Sequence, residues 1–198
     1  MKASIAVFVS GGGTNLQALI DAQGGMLCSG EIALVVSNNS DAYALERARK
    51  AGIPTEVVLK QGSQAAFEEK LMEVLARYEI DLIILAGFMT ILTEAFTSRY
   101  PRRIINVHPS LIPSFCGSGF YGLRVHKAAL DYGIKVTGAT VHFVNEIPDG
   151  GEIIAQKAVA VLPGDSPEIL QRRVMEQAEW LLLPQAAEAV CASIVGGN

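Results

Sequence analysis

Three stretches of this 198-residue chain combine residue types and spacings that could do chemistry. The first is Ser10-Gly11-Gly12-Gly13-Thr14-Asn15, which follows an aliphatic run and precedes a helical pattern. Consecutive glycines let backbone N–H groups converge on an anion, and a helix start adds partial positive charge. Gly12, Gly13, Thr14 and Asn15 are therefore a candidate phosphate cradle that needs no lysine. It is neither a dinucleotide fingerprint nor a P-loop. Leu16 stands where a third spaced glycine belongs, Ser37-Asn38-Asn39 offers no ribose-binding acid, and no Gly-Lys-Ser/Thr follows. A plain strand-to-helix turn would also use glycine, but two would suffice for it.

The second stretch is Asn106-Val107-His108-Pro109-Ser110-Leu111-Ile112-Pro113, at the end of a predicted strand. Strand alternation puts Asn106 and His108 on one face. An amide donor beside an imidazole can grip a developing oxyanion and shuttle a proton near neutral pH. Pro109 and Pro113 stiffen the exit. The third is Asp149, ahead of Gly150-Gly151. Alone, it reads as a solvated or Asx-turn acid. It joins the chemistry only if its loop folds back onto His108.

Other residues read as structural. His126 sits in a helical pattern as a capping or packing residue, and His142 is a strand residue whose ring needs a hydrogen-bond partner. The three histidines lack metal-ligand spacing, so no metal is expected. Cys28, Cys116 and Cys191 are odd in number and far apart, which argues against a disulfide framework or a zinc site. Cys116 has no partner to make it a nucleophile, and Trp180 reads as helix packing.

These groups need a scaffold, and the alternation of short aliphatic runs with amphipathic stretches supplies one. Ile5–Val9, Ile32–Ser37, Thr55–Leu59, Leu82–Ala86 and Ile104–Val107 read as strands covered on both faces. Asn15–Ala22, Ala42–Ala51 and Gln64–Tyr78 read as the helices between them; in the last, Phe67, Leu71, Val74, Leu75 and Tyr78 share a face. That alternation implies right-handed crossovers and a parallel sheet. Lys135–Val144 and Glu152–Val161 break the rhythm as two strands joined by a Pro- and Gly-containing loop. Ser166-Pro167 is expected to start a closing helix, which Pro184 should kink or divide.

Residues 1–198 suit one domain, since domains commonly run roughly 100–200 residues. Half the residues are hydrophobic, 18% are charged and the net charge is −4. A mildly acidic chain argues against nucleic-acid binding, which needs a basic face. The most apolar run, Leu82 to Leu92, is about half what a bilayer span requires. With no leader-like N-terminus, a soluble cytoplasmic protein without a membrane partner is expected.

Taken together, the Ser10–Ala18 turn, Leu85–Leu92, the Asn106–Pro113 element and Val141-His142-Phe143-Val144 through Gly151 resemble the phosphoribosylglycinamide formyltransferase family. The resemblance runs from residue 4 to about 190. It implies a Rossmann-like α/β fold: a doubly wound, mostly parallel open sheet with helices on both faces and an antiparallel C-terminal edge. It also implies formyl transfer from 10-formyltetrahydrofolate, a co-substrate, to the amine of 5-phosphoribosylglycinamide in purine (IMP) synthesis. On this resemblance Asn106, His108 and Asp149 match the catalytic trio, and the glycine turn matches the phosphate site. Met89, Thr90, Ile91, Leu92, Asn106 and Val144 match the folate pocket, and Glu179 and Pro109 match contacts to the glycinamide substrate. A monomer or homodimer acting on small molecules is implied.

Two departures stand out. Many relatives carry arginine where Thr90 stands and another near Gln64, both placed for the folate's glutamate tail. Their absence predicts weaker, less salt-sensitive attraction of polyglutamate. The glycine-rich stretch Phe115–Leu123 is longer than in some relatives and reads as a mobile flap or a surface loop. Two alternatives compete: formyl transfer to another small phosphorylated amine, and a non-catalytic folate-binding module.

Overall fold

The computed structural model describes residues 2–197. Its centre is a seven-stranded sheet of order β3-β2-β1-β4-β5-β6-β7. The first five strands, β1 (Ala3–Val9), β2 (Gly30–Ser37), β3 (Thr55–Val57), β4 (Leu82–Leu85) and β5 (Ile104–His108), pair in parallel. β6 (Val136–Phe143) and β7 (Ile153–Ala160) close the edge antiparallel. The chain has the doubly wound α/β fold with an antiparallel C-terminal edge.

Alternation along the strands splits the core into two layers. Ile5, Val7, Ile105, Val107 and Val141 pack with residues of α1 (Thr14–Ala22), α2 (Tyr43–Lys50) and the C-terminal helices. Ala6, Phe8, Leu34, Ile83 and Ile104 face the other way, onto Phe67, Leu71 and Leu75 of α3 (Gln64–Arg77) and Phe96 of α4 (Glu94–Thr97). Burying each such Leu, Ile or Phe side chain contributes about 1.5–3 kcal/mol before conformational entropy is subtracted. On β5 this arithmetic places Ile105 and Val107 in the first layer and turns Asn106 and His108 the opposite way.

Several boundaries differ from the sequence reading. β1 starts earlier, because Ala3 pairs with Gly30. β3 stops at Val57, and Leu59 enters a turn in which its carbonyl accepts from Gln61 N. Glu94–Thr97 is a one-turn helix that no periodicity announced.

Of the two outcomes expected for Pro184, division of the helix is not observed. Ser166 caps α6 (Pro167–Val174), its hydroxyl accepting from Ile169 N with Pro167 in the first turn. The chain then passes through a π-helical turn, Met175–Glu179, before α7 (Trp180–Gly196). Pro184 lies inside α7 without dividing it. The irregularity sits immediately upstream, where one wide turn re-phases the helix. The run Pro167–Gly196 is long and apolar enough to cross a membrane by composition, but half of its most apolar window is buried within the fold.

Candidate active site

β1, β4 and β5 end together, and an open α/β sheet binds ligands in the crevice outside its strands' carboxyl ends. A 680 Å3 cavity opens there. Asn106, His108 and Asp149 line it, with walls from Gly87–Ile91, Gly117–Gly122 and Pro109. Asn15, Gln171, Met175 and Glu179 also face it.

The glycine turn is built from main chain. Gly13 takes φ 71° and precedes α1, and an added Cβ there would stand 2.6 Å from the Cβ of Ala44. Only glycine fits. No side chain caps α1, so its first-turn N–H groups remain available to an anion. α2 holds the turn from behind: the Gly11 carbonyl accepts from Ala44 N at 3.0 Å, and the Gly12 carbonyl from Arg47 Nε at 2.8 Å. The sequence reading missed Arg47. It lies on another helix, and only the packing of α2 on the turn makes it relevant.

Asn15 and Glu179 meet across the cavity wall. Asn15 Nδ2 donates to Glu179 Oε2 at 2.8 Å, and Asn15 Oδ1 is buried without a partner. Burial pushes the Glu179 carboxyl up to about 7, although the Asn15 N–H pulls it back. The π-helical turn is what carries Glu179 to this position.

Side chains build the other end. The His108 Nε2–H donates to the Phe115 carbonyl at 2.8 Å, and its Nδ1 lies 3.4 Å from Asp149 Oδ2. Gly117 N–H donates to the same carboxylate oxygen at 2.8 Å. Phe115 and Asp149 have φ of 49° and 56°, a left-handed conformation that costs about 1–3 kcal/mol in such residues. Both strained residues hold His108. Gly151 lets the loop turn back here, since a Cβ on it would fall 1.8 Å from the Phe143 carbonyl oxygen.

Burial lowers the His108 pKa below its usual 6.5, outweighing the Asp149 carboxylate and the Phe115 carbonyl, which raise it. Asp149 is lowered too: burial raises it, but the neighbouring His142 and His108 rings and the Gly117 N–H outweigh that. The pair is therefore a neutral imidazole beside an ionised carboxylate near pH 7. That arrangement is poised to accept one proton.

His142 belongs to the cluster as well. Its Nε2 lies 3.2 Å from Asn106 Nδ2 and 3.5 Å from Asp149 Oδ1. The reading of His142 as a strand residue in need of a partner found the need and not the place. β6 runs antiparallel to β5 with Asn106 opposite His142. The available signal was alternation across both strands, once their register is fixed. His126 is fully buried with neither ring nitrogen partnered, and burial holds its pKa down to about 4, with His108 adding to the effect.

The segment after β4 is pinned from three sides. Met89 N donates to Ser10 Oγ at 2.9 Å, Asn38 Nδ2 to Thr90 Oγ1 at 2.9 Å, and Gln64 Nε2 to the Ile91 carbonyl at 3.1 Å. Met89, Thr90 and Ile91 line the cavity. Leu92 does not: it is buried in the α3 core layer. Val144 does not either, because its N–H is bonded to the Ile104 carbonyl and its side chain packs on that same layer. Thr14 faces a neighbouring depression shared with Gln17 and Trp180, and Gly12 and Gly13 stand outside the cavity wall. Among the described residues, no lysine or arginine lines the cavity, and no group of three or more His, Cys, Asp or Glu side chains could hold a metal ion.

A family model described as formyl transferase matches residues 3–186, and the chain belongs to the formyl transferase family. Within that class it is 42% identical to the phosphoribosylglycinamide formyltransferase of Escherichia coli strain K12, over 88% of this chain and 81% of that protein. It is 44% identical to the trifunctional purine biosynthetic protein adenosine-3 of Gallus gallus, over 98% of this chain and 19% of that protein. Its fold matches the crystal structure of glycinamide ribonucleotide transformylase 1 from Symbiobacterium toebii with a TM-score of 0.90 and 41% identity, covering 97% of this chain and 89% of that one. The chain thus spans a small part of the trifunctional relatives and 66% of a plastid one.

Proposed function

We propose that this chain transfers the formyl group of 10-formyltetrahydrofolate to the primary amine of 5-phosphoribosylglycinamide, a step of de novo purine synthesis. The observation that carries this reading is the opening of one cavity onto Asn106, the His108–Asp149 pair and the Asn15–Glu179 pair at once. The nucleophile's amine, the donor's formyl group and a proton acceptor then share one space.

The amine nitrogen attacks the formyl carbon, and the carbonyl oxygen takes on negative charge. Asn106 donates an N–H to that oxygen, the interaction that strengthens most in the transition state. His108 starts neutral, and the proton leaving the amine converts it to imidazolium beside the Asp149 carboxylate. Its charge offsets the oxyanion, and one such donor typically accounts for roughly 10²–10³ in turnover. The C–N10 bond then breaks, and the proton ends on N10 of the folate. No covalent enzyme intermediate is needed.

The remaining roles are proposed on the family resemblance. The α1 N-terminus and the glycine turn receive the substrate phosphate, with Glu179 and Pro109 beside the acceptor. Met89–Ile91 and the 117–122 wall receive the folate. Residues 1–198 act as one domain, in the cytoplasm, as a monomer or homodimer, with no metal, nucleic-acid or membrane partner.

The test mixes purified chain with 10-formyltetrahydrofolate and phosphoribosylglycinamide, and follows tetrahydrofolate release with mass detection of the formylated amine. Stoichiometric appearance of both products is expected. Product only with another phosphorylated amine would reassign the acceptor. Folate binding without product for any amine would make the chain a binding module.

A further inference from the structure

Oxyanion stabilisation by Asn106 works only if its amide presents nitrogen, and an amide can present either end. His142 decides which. Its Nδ1 lies 2.8 Å from the Phe143 carbonyl, an oxygen that can only accept, so Nδ1 carries a proton. In a neutral ring Nε2 is then a bare lone pair, and Asp149 Oδ1, 3.5 Å away, stands beyond N–H···O bonding distance of it. That lone pair lies 3.2 Å from Asn106 Nδ2, which accordingly donates to it. One amide N–H is spent on His142, and the second stays on the same nitrogen. In the other tautomer, Nε2 would carry the proton and Nδ1 would set its lone pair against the Phe143 carbonyl oxygen. Asn106 would then have to turn its own oxygen toward His142.

We infer that His142 is a positioning residue for the proposed transfer: through its neutral Nδ1–H tautomer it fixes the Asn106 amide with nitrogen available to the oxyanion. The inference rests on the function proposed above. It assigns His142 no contact with either substrate, and its effect passes entirely through Asn106. The anchor is main chain, on β6 itself, and the register of β6 on β5 sets His142 opposite Asn106. One strand pairing therefore sets both the distance and the orientation.

Two substitutions separate this role from space filling. His142→Asn places an amide near the Nδ1 position and keeps a donor for Phe143, but loses the acceptor facing Asn106. His142→Gln reaches the Nε2 position and restores that acceptor. Formyl transfer at saturating substrates is expected to fall about 30- to 100-fold in His142→Asn, with KM for the acceptor nearly unchanged. His142→Gln is expected to remain within about fivefold of wild type. Equal losses in both variants, or a larger loss in His142→Gln, would overturn the inference. A second measurement needs no turnover: long-range 15N–1H NMR of the wild-type ring at pH 8, above the usual imidazole range. It is expected to find Nδ1 protonated and Nε2 bare, and an Nε2–H tautomer would overturn the assignment. Should wild type give no transfer at all, the proposed function falls, while this spectrum still decides the tautomer.

Discussion

Two regions beside the cavity are built from different materials. At the β1–α1 turn the groups left free are main-chain N–H groups, shaped by Gly13 and braced from behind by Ala44 and Arg47. At the β5–β6 end they are side chains, each aimed by another side chain or a main-chain group: the Phe115 carbonyl for His108, His142 for Asn106, the Gly117 N–H for Asp149. A main-chain site responds to changes of shape and is indifferent to most side chains. A side-chain site responds to single atoms, and most of its residues add little to stability. Binding and chemistry should therefore separate under mutation.

The largest effect belongs to the side-chain end. Asn106→Ala should lower kcat by about 10²–10³ while KM for the acceptor and the melting temperature change little. A loss confined to KM would mean that Asn106 binds and does not react. At the main-chain end, Gly13→Ala forces a Cβ against Ala44 at a left-handed φ. It should cost roughly 1–3 kcal/mol of stability and, by distorting the cradle, raise KM for the phosphorylated acceptor about tenfold, with kcat less affected. Steady-state kinetics and thermal melts on the two variants together would show whether the ends are distinct. Matching patterns would merge them.

A third prediction concerns pH. The unfolded chain protonates His126 near its usual 6.5, whereas the folded chain resists until about 4. This residue's contribution is therefore lost as pH falls from 6.5 toward 4. Glu179 runs oppositely: folded, it keeps its proton to about 7, and unfolded, it loses it near 4.5. Its contribution is full below 4.5 and is lost as pH rises through 7. The two slopes oppose each other between 4.5 and 6.5. Glu179→Gln should thus make the melting temperature fall more steeply on acidification across that window. An unchanged or shallower slope would contradict the raised pKa of buried Glu179.

The smallest effect concerns the folate tail. Thr90 and Gln64 hold the segment after β4 by neutral hydrogen bonds, and no lysine or arginine lines the cavity among the described residues. Lengthening the tail from one glutamate to five should change KM less than about threefold, with little dependence on salt. A steep, salt-sensitive tightening would locate a cation that the cavity wall lacks.

The two ends also differ in how far they could be read from sequence. The glycine turn is local: strand, glycines and helix start are contiguous, and Gly13 behaves as its position implies. Asn106 and His108 are two residues apart on one strand, so alternation alone put them on one face. His142 is 36 residues from Asn106, and only the antiparallel register joins them. Asp149 had no claim beyond family resemblance until its loop was seen to fold back on His108. Leu92 and Val144 fell near the pocket by resemblance, but one is core and the other is held by the sheet. Pro184 was read as a break in the helix, a local effect, whereas the break in regularity lies upstream of α7, at Met175–Glu179. Local geometry was legible, and pairings across the sheet were not.

In the proposed reaction His108, held by Asp149 and Phe115, carries the proton and the compensating charge during formyl transfer. The most direct measurement compares kcat for 10-formyltetrahydrofolate and phosphoribosylglycinamide in wild type and His108→Ala, with folate binding measured on both. A fall of at least about a hundredfold in kcat, with folate affinity preserved, is expected. Undiminished turnover in His108→Ala would contradict it.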